Sequence, residues 1–378
     1  MSRKYNFCAG PSALPTDVLN DLKDEILDFQ GYGLSTMEMS HRSKEFVEIA
    51  ETAKQDLIDL LDVNDDYEVL FIQGGASLQF SMVPMNLLSN PNSSCDYLDV
   101  GQWSIKAIKE AKKYGNVNVA ASSSDISYKK YPDPDSWNLN EKSDYLHLVM
   151  NETIDGVCLR DLSNLPTANI VADCSSCILS EPLDISKFGL IYAGAQKNIG
   201  PAGLAIIIIK KELLKDQAHL PAMMNYKTYA DSDSMYNTPP TFAWYLSGKV
   251  FKWLKKNGGL TNQKKVNESK STKLYSFIDE NEFYFNDVDK NSRSIMNVPF
   301  LLKDDSLNSK FLSESEKAGL LNLAGHRSVG GMRASIYNGV SEEAVDALID
   351  FMKLFSEKNL SLIHISEPTR LLSISYAV

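Results

Sequence analysis

The stretch Leu190-Ile191-Tyr192-Ala193-Gly194-Ala195-Gln196-Lys197-Asn198-Ile199-Gly200-Pro201-Ala202-Gly203, running on into Leu204-Ala205-Ile206-Ile207-Ile208-Ile209, reads as two apolar strands joined by a turn that carries one lysine. Short runs that are apolar at every position suit strands buried on both faces, in a sheet covered by helices. The glycines and the proline between them break both regular periods, so the lysine sits on a turn at a strand end.

Working outward, further strand candidates are Val69-Leu70-Phe71-Ile72, Tyr97-Leu98-Asp99-Val100, Tyr145-Leu146-His147-Leu148-Val149 and Ile170-Val171-Ala172. Helical patterns fall between them over residues 77–88 and 104–114, the latter apolar at Ile105, Ile108 and Ala111. Residues 17–28 and 43–61 also read as helices. Alternation of this kind predicts an α/β domain with a mainly parallel sheet flanked by helices, where ligands gather beyond the carboxyl ends of the strands. Gly258-Gly259 marks a helix stop, after which the segments become longer and more charged. The expected division is a large domain over residues 17–258 and a smaller α/β domain built from 1–16 and 259–359.

The 378 residues are 43% hydrophobic and 23% charged, enough apolar material for a sizeable core. The formal charge of −11 argues against a nucleic-acid surface, which needs a basic stripe. It also means that an anionic ligand must find its own local arginines and histidines. No apolar run approaches the length of a membrane span, and Met1 to Asn6 leads into no signal-peptide core. Five cysteines without framework spacing suit a reducing compartment, so the expected location is the cytoplasm.

Several polar residues follow the strand ends. Gly74-Gly75-Ala76-Ser77 opens a helix after the first strand, where free backbone N–H groups could hold an anion; an ordinary tight turn is the competing reading. Asp173 ends one strand and Lys197 follows another. A lysine that can form an imine and an aspartate that keeps a pyridine nitrogen protonated are what a pyridoxal enzyme needs. A structural ion pair would leave the same spacing.

Gly194 to Gly203 resembles the lysine motif of the phosphoserine aminotransferases, in the class V branch of fold-type I pyridoxal enzymes. Phe7-Cys8-Ala9-Gly10-Pro11, Ser40-His41-Arg42, Asn151-Glu152-Thr153, Asn237-Thr238-Pro239-Pro240 and Gly325-His326-Arg327-Ser328-Val329-Gly330-Gly331-Met332-Arg333 agree with that family, over residues 5–358. The resemblance implies pyridoxal phosphate as cofactor and transfer of an amino group from glutamate to 3-phosphohydroxypyruvate, giving phosphoserine and 2-oxoglutarate. In some bacteria such an enzyme also acts on 4-phosphohydroxy-L-threonine in pyridoxine synthesis. Lys197 would carry the cofactor and shuttle protons. Asp173 would pair with the pyridine nitrogen, Trp103 stack on the ring and Thr153 bond its phenolic oxygen. Ala76, Ser77 and Gln196 would hold the cofactor phosphate, joined by Asn237 and Thr238 from a second subunit. Arg333 would clamp the substrate α-carboxylate, as a planar guanidinium can. His41 and Arg42, with His326 and Arg327 from the partner, would bind the substrate phosphate, making the protein a homodimer with composite sites. The sequence departs from some family members at Ser77, where they carry an arginine that also touches the substrate phosphate.

Cys174-Ser175-Ser176-Cys177 has metal or redox spacing but no second pair, so no metal is expected. His147, inside an apolar strand, reads as a core histidine. Another class V chemistry, such as serine–glyoxylate transamination, or a non-catalytic protein that kept the fold, remains open. Residues 360–378 lie past the expected final helix, residues 341–357, match nothing in the family pattern, and read as a non-native tail.

Overall fold

The computed structural model describes residues 3–366, with side chains to Asn359; the expectation for the 360–378 tail lies outside those described side chains. The chain enters through β1 (Tyr5–Asn6), α1 (Thr16–Glu25) and α2 (Lys44–Leu61). Strands and helices then alternate through β2 (Tyr67–Gln73), α3 (Ala76–Leu87), β3 (Ser94–Asp99), α4 (Gln102–Ala111), β4 (Asn116–Ser122) and β5 (Ser143–Val149). A small hairpin of β6 (Asn151–Glu152) and β7 (Val157–Cys158) precedes β8 (Ile170–Asp173), β9 (Leu190–Gly194) and β10 (Leu204–Lys210). The remainder holds α5 (Tyr226–Ala230), α6 (Thr241–Lys256), α7 (Gly259–Glu280), β11 (Tyr284–Phe285), β12 (Asn297–Leu302), α8 (Asn308–Lys317), β13 (Leu320–Leu321), β14 (Met332–Ser335) and α9 (Glu342–Ser366).

Seven strands form one sheet in the order β2-β10-β9-β8-β5-β3-β4. Pairs from β9 to β4 are parallel, while β10 runs antiparallel to both neighbours. The reason lies in the lysine turn: Ala195 to Gly203 is too short for the crossover that a parallel return needs. The mainly parallel sheet expected from the sequence is therefore present, with one reversed strand. β4 has no counterpart among the sequence expectations. It is an edge strand whose only buried residue is Ala120, so it carries no continuous apolar run.

Both faces of the sheet are covered. Phe46, Ala50, Ala53 and Leu57 of α2 and Trp244 and Phe251 of α6 pack on one face, with Trp244 stacked on Phe71 at 4.2 Å. Phe80, Met82 and Val83 of α3 and Ala107 and Ile108 of α4 cover the other. A separate cluster gathers Phe7 and Ala13 with Leu274, Ile278, Phe300, Phe311 and Phe355, around the three-stranded sheet β11-β12-β14. Gly258 and Gly259 both have positive φ and join α6 to α7 directly. The final helix runs Glu342–Ser366, beyond the expected end at residue 357. Between Glu357 and Glu367 the sequence contains neither glycine nor proline, and Pro368 is the first strong stop.

Candidate active site

The parallel arrangement brings the carboxyl ends of β2, β3, β5, β8 and β9 to one edge of the sheet, and the polar residues after them enclose a cleft of about 310 Å³. Lys197, Asp173, Thr153, Trp103, Ala76, Ser77 and Gln196 all line it. Lys197 is buried, and its Nζ donates to Thr153 Oγ1 at 2.7 Å. Burial pulls its amine down to about 8, although Asp173 opposes the shift. Such an amine is neutral, as a nucleophile must be, in far more molecules near neutral pH than an ordinary lysine. The turn is pinned from outside: Ser12 donates through its backbone to Gln196 O and through Oγ to Lys197 O, at 2.9 and 2.6 Å. Asn198 donates to Ile178 O and accepts from the Asn338 backbone, tying the lysine turn to the β14–α9 connection.

Asp173 is buried at the end of β8, and Oδ1 accepts the Ser175 N–H at 2.9 Å. Burial raises its pKa, while Lys197 and its hydrogen-bond donors work the other way. Gly74 and Gly75, both at positive φ, turn the chain into α3, which begins at Ala76. First-turn amides of a helix have no internal acceptor, so Ala76 and Ser77 present N–H groups to the cleft. A Cβ on Gly194 would lie 2.7 Å from Gln196 Oε1 and 3.3 Å from Ala76 N, which shows how closely the glutamine approaches this helix start.

Trp103 occupies the first turn of α4, with its ring centroid 5.8 Å from Lys197 Nζ. The sequence did not reveal what holds it. Glu152 accepts the Trp103 N–H at 3.1 Å and the Ser104 N–H at 2.8 Å, and Asp155 accepts the Gln102 N–H at 3.4 Å. The β6–β7 hairpin thus caps α4 and presents Thr153 at the same time. Gly101 is required here, because a Cβ would come within 2.6 Å of Glu152 Cδ. Burial pushes the Glu152 carboxyl up to about 8, despite those backbone donors. Its partners lie on a distant element, which the local sequence Asn151-Glu152-Thr153 does not reveal.

The model of the aminotransferase class-V family matches residues 4–348. The chain belongs to the class V aminotransferases. It is 57% identical over 358 residues to a phosphoserine aminotransferase of Hahella chejuensis, covering 94% of this chain and 99% of the relative. A phosphoserine aminotransferase structure from Bacillus circulans subsp. alkalophilus superposes with TM-score 0.92 at 43% identity, covering 94% of this chain and 99% of that one. The pyridoxal-phosphate-bound phosphoserine aminotransferase of Trichomonas vaginalis gives 0.88 at 38% identity, covering 93% and 100%.

The cleft of this class V aminotransferase fits pyridoxal phosphate. Trp103 Nε1 and Arg333 Nε are buried without partners among the described residues; Trp103 lines the cleft, and Arg333 touches Thr153, which lines it. A depressed amine, a buried carboxylate and the start of α3 suit the aldehyde, the ring nitrogen and the phosphate respectively. Arg333 of β14 reaches the site from the second core, with Nη1 donating to Thr153 O at 3.4 Å. The other residues named from the sequence are not gathered there. His41, Arg42, Asn237, Thr238, His326 and Arg327 are absent from the cleft lining, and all but His41 are exposed. Cys174 and Cys177 are unpaired, and the Cys177 thiol donates to Cys174 O.

Proposed function

We propose that this class V aminotransferase is a phosphoserine aminotransferase, moving the amino group of L-glutamate to 3-phosphohydroxypyruvate to give O-phospho-L-serine and 2-oxoglutarate in serine biosynthesis. The observation that carries the reading is Lys197, a buried amine with depressed pKa within hydrogen-bond reach of Thr153, in a chain matched over 94% of its length by a phosphoserine aminotransferase. Bound in the cleft, pyridoxal phosphate supplies an aldehyde carbon for the amine and a ring that takes up the electron pair left at the substrate Cα.

Lys197 Nζ, once free, would carry the proton between the substrate Cα and the carbon of the cofactor's aldehyde. Asp173 holds the proton on the ring nitrogen. Trp103 covers the ring, and Thr153 fixes the oxygen next to the reacting carbon. Ala76, Ser77 and Gln196 bind the cofactor phosphate, and Arg333 takes the substrate carboxylate in a two-pronged bond. We assign the substrate phosphate to His41 and Arg42 together with His326 and Arg327 of a second copy, which also lends Asn237 and Thr238 to the cofactor phosphate. Support for a homodimer comes from exposed apolar side chains between residues 26 and 37, among them Leu27 and Met37, and from exposed Tyr236 beside Asn237. The same basic cluster would receive the distal carboxylate of glutamate, so one site serves both halves of the exchange. We also propose 17–258 as the large domain, 1–16 and 259–359 as the small one, and the cytoplasm as its place of action. The pyridoxine-pathway substrate, 4-phosphohydroxy-L-threonine, has the same two anionic ends and is a further candidate.

A single-turnover test separates the substrates. Phosphoserine should convert the lysine-bound cofactor to its amine form far faster than serine does, read by the visible absorption. Equal rates would remove the phosphate assignment. A protein that stays colourless with pyridoxal phosphate would remove the enzyme reading altogether.

A further inference from the structure

Beside Asp173 lies a buried polar array that the reaction as described does not use. Tyr192 of β9 is the cross-strand neighbour of Asp173 on β8, and its hydroxyl lies against the Asp173 carboxyl, favouring the ionised form. The same hydroxyl is 2.8 Å from His147 Nε2 on β5. Both rings are buried, and Tyr97 stacks on His147 at 4.5 Å. His147 Nδ1 is buried with no partner among the described residues.

Burial holds the imidazole far down, at about 3, so it is neutral and carries one N–H. Two arrangements are open. With the hydrogen on Nδ1, a buried donor is orphaned, Nε2 must accept the tyrosine hydrogen, and Asp173 loses a donor. With the hydrogen on Nε2, the ring donates to Tyr192 Oη, and the tyrosine hydrogen is free to go to Asp173. Nδ1 goes unpaired in either arrangement, as a donor or as an acceptor, so the choice falls to the tyrosine hydrogen: a hydrogen bond to a charged acceptor contributes more than one between neutral groups, and the second arrangement wins.

We infer that His147 and Tyr192 form a one-way donor chain ending on Asp173, which keeps that residue a carboxylate in the orientation that holds the proton on the cofactor's ring nitrogen. Both are positioning residues. The inference rests on the reading of Asp173 given above and adds the reason that a fully buried acid can stay ionised there. Of the groups around the chain, Ser175 also donates to Asp173, and Lys197 faces it from the cleft, so the chain shares the task rather than carrying it alone.

Nitrogen NMR of histidine-labelled holoenzyme tests the direction of the chain without any substitution: the His147 signals should report hydrogen on Nε2, and hydrogen on Nδ1 would overturn the inference. The His147 signals are assigned by their loss in His147→Gln. The second arm uses ring-¹⁵N pyridoxal phosphate in Tyr192→Phe, which keeps the packing and removes the link. The ring-nitrogen shift should move towards the unprotonated value, and cofactor affinity should fall roughly tenfold, the loss expected for one charge-assisted hydrogen bond. An unchanged shift and affinity in Tyr192→Phe, with a clear change in Asp173→Asn, would overturn the chain and leave the role of Asp173 standing. No change in Asp173→Asn would remove the underlying reading and the chain with it.

Discussion

Lys197 illustrates how a single side chain acquires chemistry from burial. In solution its amine would be charged across the physiological range; in the cleft it titrates at about 8 because desolvation outweighs the pull of Asp173. Capture of pyridoxal phosphate by the cofactor-free protein needs the neutral amine, so its rate should rise with pH through about 8 and level off above. Stopped-flow mixing across pH 6 to 10, read by the visible absorption, checks this; a rate that is flat across the range would show that the amine is already neutral or is not the nucleophile. Lys197→Ala should bind the cofactor without forming that absorption.

Elements rather than residues set the position of Trp103. α4 has no side-chain cap of its own at Gly101, and the β6–β7 hairpin supplies the acceptors through Glu152 and Asp155. Glu152 titrates at about 8 in the folded chain and near the usual 4.5 when unfolded. The folded state therefore binds the extra proton between these values, and stability drawn from Glu152 is lost as pH rises towards 8. Glu152→Gln keeps an acceptor for the α4 amides and cannot ionise. Its melting temperature relative to the unsubstituted protein should rise steadily from pH 5 to pH 8, and a constant difference would refute the raised pKa. Glu152→Ala, which leaves the Trp103 and Ser104 amides without that acceptor, should cost about 1–3 kcal/mol in denaturant unfolding. At this scale the sequence was partly legible. Long amphipathic helices such as α2 and the apolar strands stand where periodicity places them, whereas the polar edge strand β4 and the cap of α4 depend on neighbours that no local pattern reveals.

At the scale of the whole molecule, the two cores meet at the site. Arg333 comes from the second core to Thr153, and Asn338 reaches Asn198 beside the lysine. Lys270 of α7 steadies that connection by donating to the carbonyls of Ile336, Tyr337 and Val340, each at 2.9 Å. The proposed dimer makes a further demand. If Arg327 serves the partner's cleft, Lys197→Ala and Arg327→Ala subunits, each nearly inactive alone, should regain activity when unfolded and refolded together. Random pairing places one intact site in half of the dimers, so recovery should reach roughly a quarter of the unsubstituted activity. No recovery above the separate variants would put Arg327 in its own chain's site or outside it.

The sequence by itself determined the α/β class, the strand ends on which Asp173 and Lys197 sit, and the glycine turn opening α3, because each is written in contiguous residues. The lysine motif and the other matching segments carried the family. Only the tertiary structure decided that β10 runs backwards, that Glu152 holds Trp103, and that Tyr192 and His147 stand beside Asp173. Those facts join residues far apart in the chain, and burial and hydrogen-bond direction, which set their chemistry, exist only once the strands are side by side.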